Sequence, residues 1–235
     1  MLRSIAVSLV LLAAACAGDG SSAVEGTGAD AQMLVATSPE VPEGRPVVVF
    51  LGTSLTAGLG LERDDDTYVA RVAELADSAG TPIRAVNAGV SGETSAGGLR
   101  RLDWVLREPL DVLVIELGAN DGLRGLDPFQ LADNLTRIAR RTRTRYPKAR
   151  IVIAGMEAPP NLGPLYVDAF REIFTSIAAG EDALLIPFLL EGVAAVPELN
   201  QRDGIHPTPE GHRILAQNAW KVLGPLLTTL SAGPS

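Results

Sequence analysis

The sequence predicts an α/β fold, a three-layer sandwich with a central, mostly parallel five-stranded sheet. Two observations carry this. From Arg45 onward, short β-branched or apolar runs alternate with longer segments of helical period, and strand, helix, strand in regular turn is the signature of a parallel sheet covered on both faces. A chain of 235 residues that is 46% hydrophobic also has the length of one sizeable domain with a substantial core.

In chain order, strands are expected at Pro46–Leu51, Ile83–Asn87, Val112–Leu117, Arg150–Ala154 and Leu184–Pro187, each a short apolar run bounded by turn residues. Between them the apolar spacing predicts helices over Tyr68–Ala79, Ala96–Arg107, Pro128–Arg145 and Leu165–Ala179, with a last one over Pro209–Leu227. Asp127 before Pro128 and Thr208 before Pro209 are cap-then-proline starts, because the cap side chain accepts an orphan N–H and proline lacks one to orphan.

The residues ahead of this domain read differently. "MLRSIAVSLVLLAAAC" has a basic residue, an apolar run too short to span a bilayer comfortably and then small residues, the pattern of a secretory signal. It ends on Cys16, the one cysteine, after "LLAAA", which resembles the lipobox of bacterial lipoproteins, where the cysteine is lipid-modified and becomes the first mature residue. Ala13 departs from the leucine usual three residues before that cysteine, which keeps free secretion open as the alternative. The following "AGDGSSAVEGTGAD" lacks apolar periodicity and is expected to be a flexible tether. The expected division is therefore a signal segment over 1–16, a tether over 17–44 and one domain over 45–235.

Composition narrows the function. A formal net charge of −8 and no large Lys/Arg cluster argue against nucleic acid as a partner. The nearest thing, "RIARRTRTR" from Arg137 to Arg145, has helical apolar spacing and is expected to be a solvated helix face. With Cys16 removed or modified, and only two histidines, a Cys/His zinc site is not expected, and neither a metal nor a cofactor is called for.

Function should gather beyond the carboxyl ends of the strands. The first three expected strands run into "LGTSLTAG", "NAGVSGETSAGG" and "LGANDGLRG", and a fourth polar cluster, "RDGIHPTPEGH", precedes the last helix. The first of these turns is not a phosphate loop: five residues and no lysine separate Gly52 from Gly58, and G-x-G-x-x-G is absent. It is not the nucleophile elbow G-x-S-x-G either, since Thr56 stands at the last glycine. A nucleophilic Ser54 remains, and a serine hydroxyl needs a base. His212 falls inside the last helix, where a helix-surface role is expected. His206 lies in "DGIHP" on the expected rim, with Asp203 three residues earlier, where a tight turn through Gly204 could bring its carboxylate to one imidazole nitrogen while the other faces Ser54.

Four blocks in order, "GTSL", "NAGVSGETSAGGL", "ELGANDGLRG" and "DGIHP", between about Val47 and Leu227, resemble the SGNH or GDSL-type hydrolases, more narrowly the bacterial thioesterase I, lysophospholipase L1 and arylesterase group. The resemblance implies a flavodoxin-like fold, Ser54 as nucleophile, His206 as general base and then acid, and Asp203 as its orienting partner. It implies an oxyanion hole from the backbone N–H groups of Ser54 and Gly92 with the Asn120 amide. On residue type alone Gly92 is also an ordinary turn glycine and Asn120 a turn residue.

Thr53 stands where the family has Asp, so the hydrogen bonds that Asp makes do not carry over. "NDGLRGL" resembles the mobile loop over the acyl chain, making Leu123 and Leu126 acyl contacts or, equally, ordinary loop packing. The expected activity is hydrolysis of carboxylic esters with a fatty or aryl portion by a monomeric, cofactor-independent enzyme outside the cytoplasm. Export would separate the enzyme from cytosolic acyl-CoA and favour lysophospholipid or external aryl and short-chain esters. The alternatives are an acetylated-carbohydrate esterase with the same triad and an inactive lipid-binding lipoprotein.

Overall fold

A computed structural model describes residues 44–232. Cys16, the expected signal segment and all but the last residue of the expected tether lie outside the described residues. Five strands, β1 (Val47–Gly52), β2 (Arg84–Gly89), β3 (Val112–Glu116), β4 (Arg150–Ala154) and β5 (Leu184–Ile186), form one sheet in the order β2-β1-β3-β4-β5. All four pairings are parallel, so the sheet is wholly rather than mostly parallel. Strand β3 is buried along its whole length and β1 nearly so, as a central parallel strand covered on both faces must be.

The helices are α1 (Ser54–Ala57), α2 (Tyr68–Ser78), α3 (Ser95–Val105), α4 (Ala119–Leu123), α5 (Pro128–Arg145), α6 (Pro164–Gly180) and α7 (Pro209–Ser231). Helices α2 and α7 pack together on one face, while α3, α5 and α6 pack in succession on the other, which gives the three layers. Side chains such as Phe50, Leu113, Ile115, Ile151 and Ile153 fill the space between. Burying apolar surface at about 25 cal/mol per Å² is the main force holding the layers together.

The expected caps are in place. Asp127 accepts the Phe129 N–H at the start of α5, and the Thr208 hydroxyl accepts from Gly211 at the start of α7. The arginine-rich end of α5 is a solvated face with local partners: Arg140 reaches Glu181 at 2.8 Å and Arg137 reaches Asp133 at 3.3 Å. Among the described residues no helix is long and apolar enough to cross a membrane.

Candidate active site

The strand order reverses at β1, whose neighbours lead away on both sides, and such a switch point leaves a crevice at the carboxyl ends of the strands. Ser54 follows β1, Gly92 follows β2, Asn120 follows β3, and Asp203 and His206 lie on the long connection between β5 and α7. Residues separated by as much as 152 positions therefore meet on one rim.

The chain turns sharply after β1. Gly52 has no room for a side chain, because a Cβ there would collide with Thr56 and Glu116. Ser54 begins α1 and is 9% exposed, and Gly58 ends the helix in the left-handed conformation at φ 74°. The Ser54 hydroxyl lies 3.0 Å from His206 Nε2. On the other side of the ring, His206 Nδ1 lies 2.7 Å from Asp203 Oδ2. The second Asp203 oxygen accepts the N–H groups of Ile205 and His206, both at 3.0 Å, in a turn that passes through Gly204 at φ 75°. The hydrogen bond from the imidazole, helped by those two N–H groups, holds the Asp203 carboxyl down to about 2. A fixed carboxylate on Nδ1 selects the tautomer with its proton there, which leaves Nε2 free to accept from Ser54.

Around Ser54, donors converge. Neither the Ser54 nor the Gly92 N–H is engaged by another group among the described residues. Gly92 takes φ 76°, and a Cβ there would meet only the Arg124 guanidinium at ordinary contact, 3.9 Å, so the glycine serves the backbone conformation rather than a tight fit. Asn120 donates one amide hydrogen to the Glu93 carbonyl at 3.0 Å, which orients the group and leaves its other hydrogen free. Ser54, Gly92 and Asn120 all line one cavity of about 580 Å³ whose walls include Met156, Ala158, Phe188, Leu190 and Ile205. Leu123 lines it too, whereas Leu126 stands outside on the exposed rim, its carbonyl taken by the Tyr166 hydroxyl at 2.6 Å.

Several supporting residues escaped the sequence reading. Buried Asp121 accepts the Ser95 N–H at 2.9 Å and the Ser95 hydroxyl at 2.6 Å, tying α4 to the start of α3. Arg101 pairs with Glu93 at 2.7 Å and donates to the Ala88 carbonyl at 2.7 Å, fixing the loop that carries Gly92. Gln201 donates to the Leu59 carbonyl at 2.8 Å and to the Pro207 carbonyl at 2.9 Å, which joins the Ser54 turn to the His206 loop. Glu116 is fully buried beneath the turn and accepts from Thr53 and Thr56. Position 53 thus has hydrogen-bond partners without a carboxylate of its own.

The helix-surface expectation for His212 is corrected: it is 1% exposed, because α7 packs against α2 along the stripe that carries it. Burial pushes its imidazole down to about 4, so it stays neutral.

A model described as the GDSL-like lipase/acylhydrolase family matches residues 50–214. The chain belongs to this family. Esterase TesA of Pseudomonas aeruginosa is 44% identical over 181 residues, 77% of this chain and 89% of that protein. Thioesterase 1/protease 1/lysophospholipase L1 of Escherichia coli K12 is 36% identical over 182 residues, 77% of this chain and 84% of that protein. The crystal structure of AlinE4, an SGNH-hydrolase family esterase, superimposes with a TM-score of 0.64 at 38% identity, covering 81% of this chain and 98% of that one. This member of the GDSL-like family has the SGNH-hydrolase fold and is a serine ester hydrolase.

Proposed function

We propose that the chain hydrolyses carboxylic esters through an acyl-enzyme on Ser54, with Asp203 and His206 completing the triad. The hydrogen-bonded series Ser54, His206, Asp203 at the mouth of an apolar cavity carries this reading. The Ser54 oxygen attacks the ester carbonyl carbon as its proton passes to His206 Nε2, giving a tetrahedral oxyanion and an imidazolium held by Asp203. The oxyanion lies toward the N–H groups of Ser54 and Gly92 and the free amide hydrogen of Asn120, donors that strengthen as negative charge develops. Collapse expels the alcohol, which takes the proton from His206. Water then attacks the acyl-enzyme, His206 accepts a proton from it, and Ser54 recovers that proton as the acid leaves.

Aliphatic walls favour an acyl or aryl group over a polar one. The one carboxylate lining the cavity, Glu157, is paired with Arg171 at 3.2 Å and favours esters without an anionic acyl part. We assign the enzyme to fatty or aryl carboxylic esters, lysophospholipids included, acting as a monomer outside the cytoplasm on a lipid anchor at Cys16. A single acyl chain binds a bilayer only marginally, so stable anchoring calls for more than one.

The test is a chain-length series of p-nitrophenyl esters and lysophospholipids, together with labelling by a serine-reactive phosphonate located by mass spectrometry. Labelling of Ser54 and turnover that rises with acyl length up to the cavity's capacity are expected. Labelling elsewhere would overturn the assignment. For the anchor, wild-type protein should partition into membranes and Cys16→Ser should release it or leave it unprocessed. Soluble wild type with an unmodified N-terminus would refute lipidation.

A further inference from the structure

Glu116 is the last residue of β3, is 0% exposed and makes no ion pair among the described residues. Nothing in the triad uses it. The register of β1 with β3 sets Gly52 opposite Glu116, so this carboxylate lies directly under the turn that presents Ser54. All its hydrogen bonds come from the two threonines that bracket the serine. Oε2 accepts the Thr53 N–H at 2.8 Å, the Thr56 N–H at 3.2 Å and the Thr56 hydroxyl at 2.8 Å. Oε1 accepts the Thr53 hydroxyl at 3.0 Å.

Burying a carboxylate without a cation is costly unless it is well hydrogen-bonded, and the position of this one accounts for that cost. Two of the donors are backbone N–H groups, which can never accept. A proton on Glu116 could point only at a threonine hydroxyl, and that hydroxyl would then have to turn its own hydrogen away. The cradle is therefore matched to the ionised form. Gly52 permits it, since any side chain there would displace the carboxylate.

We propose that the buried Glu116 carboxylate is a positioning residue: by drawing the N–H groups of Thr53 and Thr56 to one oxygen, it fixes the turn that aims the Ser54 hydroxyl at His206 and the Ser54 N–H at the oxyanion. The inference rests on Ser54 being the nucleophile, as assigned above. Desolvation opposes the four hydrogen bonds and pushes the Glu116 carboxyl up to about 7, so the anchor of the turn changes charge near neutral pH.

The groups packed around it leave this ionisation distinct. From α2, the buried Tyr68 hydroxyl lies 2.9 Å from the Thr56 hydroxyl and is raised well above the ordinary phenol range by burial, so it stays neutral. From α7, His212 stacks behind Tyr68 and is neutral above about 4. From α3, the Arg101 guanidinium is engaged by Glu93 and by the carbonyls of Gly52 and Ala88. His206 faces Ser54 from the far side of the turn.

The experiment compares wild type, Glu116→Gln and Glu116→Ala by the pH dependence of kcat/KM, with phosphonate labelling of Ser54 in each. In wild type both Glu116 and His206 must lose a proton, so log kcat/KM should fall on the acid side with a limiting slope of two. Gln keeps the acceptor where three donors converge and presents its amide to the Thr53 hydroxyl, which can turn to accept. It should fold, since every donor keeps a partner, but as a neutral stand-in for the protonated carboxyl it should lower kcat on the alkaline side about a hundredfold and show an acid slope of one. Ala leaves two buried N–H groups without an acceptor and should lower kcat about a hundredfold or more, with KM little changed.

A slope of two retained in Glu116→Gln, or a folded Glu116→Ala with wild-type kcat, would overturn the proposal while Ser54 still labelled. Should Glu116→Ala not fold, the Gln slope decides alone. Failure of wild-type Ser54 to label would instead remove the nucleophile assignment on which the inference rests.

Discussion

The backbone N–H of Tyr68 donates to Nδ1 of His212 at 3.2 Å, and the two rings lie 11° from parallel with centroids 6.4 Å apart. This imidazole holds the first turn of α2 against α7, while the hydrogen bonds of Ser54 and Asp203 go to His206 instead. His212→Ala should therefore cost about 3 kcal/mol of stability, from the cavity and the orphaned N–H together, with turnover of the folded enzyme little changed. Urea midpoints and kcat measured on the same preparation check this. A fall in kcat as deep as that of His206→Ala would place His212 in the chemistry.

Two buried groups give stability opposite pH dependences. His212 is depressed in the fold from 6.5 to about 4, so on acidification the unfolded chain takes up a proton that the folded chain refuses. Its contribution is intact above pH 6.5 and lost as pH falls toward 4. Glu116 is raised from 4.5 to about 7, so the folded chain binds its proton first. That contribution is fully present below pH 4.5 and lost as pH rises through 7. Each amounts to about 3 kcal/mol, and between pH 7 and 5 they nearly cancel. Wild type should be almost flat over that interval, Glu116→Gln should lose stability on acidification, and His212→Gln should gain it. Parallel urea midpoints at pH 7.5 and 5 in all three proteins would contradict the opposition.

Asn120→Ala should lower kcat about a hundredfold with little change in KM, because in the proposed oxyanion hole its free amide hydrogen meets charge that exists only in the transition state. The variant also loses the hydrogen bond to the Glu93 carbonyl, so it should cost about 1 kcal/mol of stability. An effect confined to KM would make Asn120 a ground-state contact instead.

If Ser54, His206 and Asp203 act as the unit proposed above, the Ser54→Ala/His206→Ala double variant should be little worse than either single variant. Asp203→Asn keeps the shape but offers an amide where Nδ1 needs an acceptor, and should lower kcat about a thousandfold or more. Losses that simply multiply in the double variant would show that the two residues act in separate steps.

Residue pattern reveals some of this architecture and hides the rest. Strands β1, β3 and β4 were visible because a parallel core strand reads as a nearly continuous apolar run, whereas the edge strand β2 mixes Arg84 and Asn87 into its run. The Pro128 and Pro209 starts were visible because a cap and a proline stand side by side. Helices α1 and α4 have four and five residues, too few for a period of 3.6 to register. Ser54, Asp203 and His206 were legible as short motifs, yet Glu116 drew no reading beyond its place in the expected Val112–Leu117 strand, and only the pairing of β1 with β3 places it under Ser54. His212 did leave a signal. It precedes Leu215 and Ala216 by three and four residues, on the same buried stripe that continues through Ala219 and Leu223.

Substituting at position 53 the aspartate usual in the family tests how this chain balances charge beneath Ser54. Thr53 is 1% exposed, and its hydroxyl fills the one Glu116 oxygen that no N–H reaches. Thr53→Asp would set a second carboxylate against the first in a buried site, where two like charges in contact cannot both be carried. The pair would keep one proton between them, and that proton would do the work of the threonine hydrogen. On the acid and neutral side the variant should therefore remain active. As the shared proton leaves at higher pH, repulsion should open the turn, so kcat/KM should acquire an alkaline limb where wild type has a plateau, and the melting temperature should fall over the same interval. An alkaline plateau with unchanged melting at pH 9 would show that position 53 and Glu116 are not in electrostatic contact.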